Sequence, residues 1–124
     1  MSLTTIPQIN RFLNEFKEIV TGNSWLEIIR RENNISGMIS LGLDQDLATE
    51  EILYLTYKDY SEGPKDDRGE GYYGEVWVFG KVINNKLAYI KLKIDIKAGK
   101  KIAKCLSFHP AYPTLNLPYS DENI

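Results

Sequence analysis

The chain is poor in the residues that usually announce a site. Its 124 residues include one cysteine, Cys105, and one histidine, His109. A single cysteine excludes an internal disulfide and any cysteine-based zinc cluster. The plain expectation for Cys105 is a small buried hydrophobe on a strand. No apolar run approaches the roughly 20 residues that a membrane-spanning helix requires. The start, MSLTTIPQINRF, has neither the charged n-region nor the apolar h-region of a signal peptide, so a cytoplasmic location is expected. Nor are there dense Asp/Glu/His constellations of the kind that hold a metal, and neither a metal nor a cofactor is expected. Proline is scarce until the end, where Pro110, Pro113 and Pro118 rule out a helix or a central strand.

What is present is an uneven distribution of charge. From Val76 to His109, eight lysines face only Asp95, a net +7, whereas Met1 to Glu75 carries 7 basic and 14 acidic residues, a net −7. With Asp121 and Glu122 added, the formal net charge is −2. An acidic front half is thus joined to a basic segment, and such asymmetry points to a polyanionic ligand more clearly than the net charge does.

The periodicities predict an α+β protein, with N-terminal helices on one face of a small antiparallel sheet. We expect one domain, with a helical part over 5–60, a loop over 61–73, the sheet over 74–110 and an extended tail over 111–124. Ile6, Ile9, Phe12, Leu13, Phe16, Ile19 and Val20 recur at helical spacing, with Thr4 or Thr5 as cap and Gly22 as stop. Ser24 and Glu27 read as a capping box opening a second helix that ends at Asn33-Asn34. ISGMISLGLD reads as a packed connector, and a third helix starts near Ala48 or Thr49. SEGPKDDRGEGYY, rich in glycine and charge, reads as a long exposed loop. In the tail, Tyr112, Leu115, Leu117 and Tyr119 are expected to anchor an extended segment.

Three strands follow the loop: GEVWVFGKVI, KLAYIKLKI and IAKCLSFHP. In the middle one, Ala88, Ile90, Leu92 and Ile94 share one face, and Tyr89, Lys91 and Lys93 the other. The first set must pack on the helices. The last strand has an ambiguous register, yet either choice leaves His109 at its end. Surface lysines often do no more than keep a sheet soluble and block edge pairing. A tyrosine, lysines, a carboxylate and a histidine on one sheet face, however, suit phosphodiester chemistry. RNA carries its own nucleophile, the 2′-hydroxyl, so an enzyme need only position it, neutralise the phosphate and move two protons. Lys91, Lys93 and Lys81 would stabilise phosphoryl charge. His109 would protonate the leaving oxygen, and Glu75 or Tyr89 would assist removal of the 2′-hydroxyl proton. Trp77 or Tyr73 would stack on splayed bases.

The order of segments resembles a known family. LGLDQDLATEEILYLTYKDY, a polar loop, a tryptophan-bearing strand, AYIKLKI, and LSF followed by a basic residue resemble the MqsR-type toxins. These are RelE-like mRNA interferases of bacterial toxin–antitoxin pairs. The likeness covers residues 8–110 in short, degenerate motifs. It implies a RelE-like fold, endoribonuclease activity on mRNA that leaves a 2′,3′-cyclic phosphate, and a cognate antitoxin as partner. It places the family's sheet tyrosine on Tyr89 and its C-terminal basic residue on His109. Where the family has a lysine after the LTYKDY-like segment this chain has Glu62, with Lys58 and Lys65 nearby, and Lys58 joins the candidates for RNA contact. No glutamine stands near Trp77 or Val78. A non-enzymatic module binding nucleic acid or protein is the alternative expectation.

Overall fold

A computed structural model describes residues 4–23, 25–66, 74–112 and 114–122. Among them, helix α1 (Ile6–Asn23) is followed by a two-residue strand β1 (Glu27–Ile28), then by α2 (Glu32–Ser40) and α3 (Gln45–Leu53). A 3-10 turn at Tyr57–Asp59 leads into β2 (Tyr60–Asp66), β3 (Glu75–Ile83), β4 (Lys86–Lys97) and β5 (Lys100–Pro110). The strands form one sheet in the order β1-β5-β4-β3-β2, antiparallel except for the β1–β5 pair. The fold is α+β.

Helix α1 forms where its apolar spacing demands. Thr5 and Gln8 cap it reciprocally: the Thr5 N–H donates to Gln8 Oε1 at 2.7 Å, and the Gln8 N–H donates to Thr5 Oγ1 at 3.3 Å. Ile9, Phe12, Leu13, Phe16 and Val20 are buried against the sheet. Phe12 stacks on Trp77 with ring centroids 4.6 Å apart, and Phe79, Ile90, Leu92 and Phe108 complete the core. The β3–β4 hairpin turns through Asn84 and Asn85, both at positive φ (50° and 67°), as a two-residue hairpin loop of mirror-image type requires.

The second helix lies elsewhere than expected. The stretch predicted helical up to Asn33-Asn34 contains β1, which pairs in parallel with β5 (Glu27 opposite Lys104, Ile28 opposite Cys105). The expected connector ISGMISLGLD instead supplies, through Ser40, most of α2, with Asn34 and Gly37 buried. Strand pairing with β5 thus prevails over a local capping pattern; Ser24 itself lies outside the described residues. Helix α3 starts at Gln45, capped by the Asp44 side chain accepting from the Leu47 N–H at 2.8 Å. The expected loop begins as strand β2, irregularly paired with β3, and its remainder, 67–73, lies outside the described residues.

The tail is a strap rather than a loose end. Leu115 and Leu117 lie over Gly80, where a Cβ would come within 2.7 and 3.2 Å of their methyl groups. The Tyr119 hydroxyl donates to the Thr4 carbonyl at 2.6 Å, and the Tyr57 hydroxyl to the Glu122 carbonyl at 3.0 Å. Tyr112, expected among the anchors, is 85% exposed and anchors nothing among the described residues.

Candidate functional site

The face of the sheet turned away from α1 carries the polar residues. In register across the strands, Glu62, Val78, Lys91 and Ser107 form one row, and Gly80, Tyr89 and His109 the next. Tyr89 and His109 are direct cross-strand partners with stacked rings, centroids 5.3 Å apart and planes 9° apart. Three of the expected residues, Tyr89, Lys91 and His109, are therefore together and half-buried.

The histidine's tautomer follows from its neighbour. His109 Nδ1 lies 2.9 Å from the Pro110 carbonyl oxygen, which can only accept, so the neutral ring carries its proton on Nδ1. Nε2 is left with the lone pair, or with a second proton when the ring is charged. The Tyr89 phenol titrates above its ordinary value, first because burial disfavours the phenolate and second because Glu62 adds negative charge, with Lys65 opposing. At neutral pH it is a hydrogen-bond donor and a poor base. Among the described residues Lys91 makes no ion pair.

Other expected site residues fall elsewhere. Lys93 shares the face but is 1% exposed, lying under Gly74 (a Cβ there would be 3.3 Å from Lys93 Cε). It cannot serve as a surface phosphate contact without a rearrangement. Its charge helps hold the Asp95 carboxyl low. Burial alone would raise that carboxyl, but the hydrogen bond from Lys104, the Ile96 N–H and the charges of Lys104 and Lys93 outweigh it.

Glu75, Trp77 and Lys81 belong to the opposite face, because β3 alternates and Val76, Val78 and Gly80 take the polar side. Trp77 is 7% exposed and stacked on Phe12, a core residue and not a platform for bases. Lys81 pairs with Glu51 at 2.7 Å and sits 5.8 Å over the Tyr54 ring. Glu75 borders a groove of about 570 Å³ on the helix side, with Arg11, Glu15, Trp77, Ile94 and Lys101. Lys58 sits in the 3-10 turn, outside both rows. Tyr73 lies outside the described residues.

Glu62 reaches the polar face in the Lys91 row, while Asp95 on the same face is paired with Lys104. Glu62 forms an ion pair with Lys65 at 2.8 Å, and both side chains are about half exposed. Alternation could not have found it, since irregular pairing on either side of Glu62 resets which residues of β2 face which way. In β5 a further irregularity leaves Leu106 unpaired between Leu92–Cys105 and Lys91–Ser107, so Cys105 and Phe108 both point into the core. That bulge is the cause of the register ambiguity in the sequence. Cys105 is fully buried, its thiol donating to the Ser107 carbonyl at 3.2 Å, and burial pushes it up to about 12.

Part of the charge asymmetry is offset within the fold. Lys81 pairs with Glu51, Lys101 with Glu15 at 2.5 Å, and Lys104 with Asp95 at 2.9 Å and more distantly with Glu27 at 3.9 Å. Carboxylates thus pair with three of the eight lysines, Lys97 and Lys100 stay exposed at the β4–β5 turn, and Lys91 is the lysine next to the Tyr89–His109 row. Among the described residues no helix is long and apolar enough to cross a membrane, and no group of three or more His, Cys, Asp or Glu side chains is placed to hold a metal ion. No protein-family description, curated protein or solved structure matches the chain.

Proposed function

We propose that the chain is an endoribonuclease of the toxin type, acting on mRNA through the sheet face that carries Tyr89, Lys91 and His109. One observation carries the reading: a stacked tyrosine–histidine pair, whose imidazole Nε2 has no partner among the described residues, lies one row from a lysine that makes no ion pair among them. The resemblance to MqsR-type toxins points the same way. In the proposed reaction the 2′-oxygen attacks phosphorus and the bond to the 5′-oxygen breaks. The 2′-hydroxyl proton passes to the Glu62 carboxylate, which shares the Lys91 row, and protonated His109 gives its Nε2 proton to the leaving 5′-oxygen. The products are a 2′,3′-cyclic phosphate and a 5′-hydroxyl. Lys91 offsets charge on the phosphoryl oxygens, and the Tyr89 hydroxyl, a donor at neutral pH, orients the reacting group. A cognate antitoxin covering this face would restrain the activity.

The test is a growth assay with RNA end mapping for wild type, His109→Ala and Lys91→Ala. Cleavage and growth arrest by wild type alone supports the assignment. Equal effects of all three proteins, or no cleavage by any, would sink it. The internal pairing of Lys81, Lys101 and Lys104 favours a second reading, a non-catalytic module that binds another protein. Such a module would retain no RNA and show little response to salt, whereas phosphate binding weakens steeply as salt is added.

A further inference from the structure

Strand β5 outruns its edge partner. β1 ends at Ile28 opposite Cys105, and the last backbone bond from that segment runs from the Ile29 N–H to the Cys105 carbonyl at 3.0 Å. Beyond it, helix α2 takes over. Asn34 is 1% exposed and acts as a substitute strand: its Nδ2 donates to the carbonyls of Ile29 (2.9 Å) and Leu106 (3.0 Å), and its Oδ1 accepts from the Phe108 N–H at 3.0 Å. One turn on, Gly37 lies flat against the strand. A Cβ built there would stand 2.4 Å from His109 Cβ, 2.8 Å from His109 Cα and 3.0 Å from the Phe108 carbonyl oxygen. None of those atoms is the free end of a flexible side chain, so the clash can be relieved only by moving the helix or the strand end. Glycine inside a helix costs about 1 kcal/mol relative to alanine, and here that cost is offset by an approach no other residue permits. Gly22, in α1, has nothing within 4 Å of the same position.

We propose that α2 is the positioning element of the site, with Gly37 as the positioning residue that sets the His109 ring against Tyr89. The activity arm of the test rests on the ribonuclease reading; the spectroscopic arm does not. His109 is the only histidine, so the imidazole signals in an NMR spectrum of the full chain belong to it alone. In wild type they should carry the ring-current displacement of a stack on Tyr89. Gly37→Ala should abolish that displacement and lower kcat on the order of 100-fold, the cost of a small misplacement of a reacting group, with KM little changed. Gly22→Ala should leave the imidazole signals and kcat unchanged. A folded Gly37→Ala protein with wild-type imidazole signals overturns the proposal. Where Gly37→Ala does not fold alone, it is combined with His109→Gly, which removes the nearest clashing atom and is first shown to fold by itself. A folded double variant supports the proposal, and a double variant that stays unfolded overturns it. Absence of RNA cleavage by wild type defeats the functional reading while the imidazole signals still decide this one.

Discussion

The Tyr89 ring lies parallel to the His109 ring, 9° between planes and 5.3 Å between centroids, across the β4–β5 pair. The stack fixes one side of the imidazole and the Pro110 carbonyl fixes Nδ1, so only Nε2 remains for chemistry. Tyr89 is tuned in turn from across the sheet by Glu62. Removing that negative charge with Glu62→Gln should lower the Tyr89 pKa toward the ordinary tyrosine value. Carbon NMR of ring-labelled tyrosine through an alkaline titration reads the shift, and an unchanged midpoint would show that Glu62 does not act on this ring.

Lys91 and Lys81 carry the same charge but should behave differently toward RNA. Lys91 has no ion pair among the described residues, whereas Lys81 is tied to Glu51 at 2.7 Å on the opposite face. Lys91→Ala should reduce the slope of log affinity against log salt by about 1, as the loss of one phosphate contact does. Lys81→Ala should leave the slope unchanged. Fluorescence titrations of a labelled RNA at several salt concentrations distinguish the two.

Asn34 satisfies three backbone groups with one buried amide. Asn34→Ala leaves the Phe108 N–H without that acceptor, at roughly 1–3 kcal/mol, while the Ile29 and Leu106 carbonyls still accept from Arg31. Equilibrium unfolding in urea should show a loss of about 1–3 kcal/mol. A loss under about 1 kcal/mol would mean that β5 re-pairs without α2.

Gly80 and Leu115 meet where the strap crosses the sheet. Gly80→Val places a Cβ 2.7 Å from the Leu115 methyl and should lift the strap, costing about 1–3 kcal/mol as overpacking does. Limited proteolysis should then cut within 114–122 much faster than in wild type. Equal cutting rates would show that the leucines yield without releasing the strap.

Cys105 should make the fold sensitive to alkali. Its thiol is held up to about 12, against 9.0 for a free cysteine, by full burial. A group protonated more tightly in the folded state stabilises it at pH below the unfolded pKa, and that stability is lost as pH rises through the window. Between pH 9 and 12 the folded state should lose about 4 kcal/mol on this account, at 1.36 kcal/mol per unit. Cys105→Ala should flatten the decline in that window, measured by urea unfolding at successive pH values. A slope identical to wild type would assign the decline to other groups.

Much of the architecture could be read without coordinates, because its signals are local. The helical spacing of Ile9, Phe12, Phe16 and Val20 and the alternation of Ile90 and Leu92 with Tyr89 and Lys91 each lie within a few residues. They determine α1 and the two faces of β4. The tertiary structure decided what depends on partners distant in the chain. Strand pairing with β5 made Glu27–Ile28 a strand, and the bulges in β2 and β5 reset which residues face which way. So Glu62 and not Glu75 shares the face with Tyr89. Carboxylates up to 86 positions away pair with Lys81, Lys101 and Lys104, three of the eight lysines that made the segment look like a broad anion-binding surface. Alternation needs only a regular strand, whereas an inserted residue or an ion pair between elements is set by how the whole chain closes on itself.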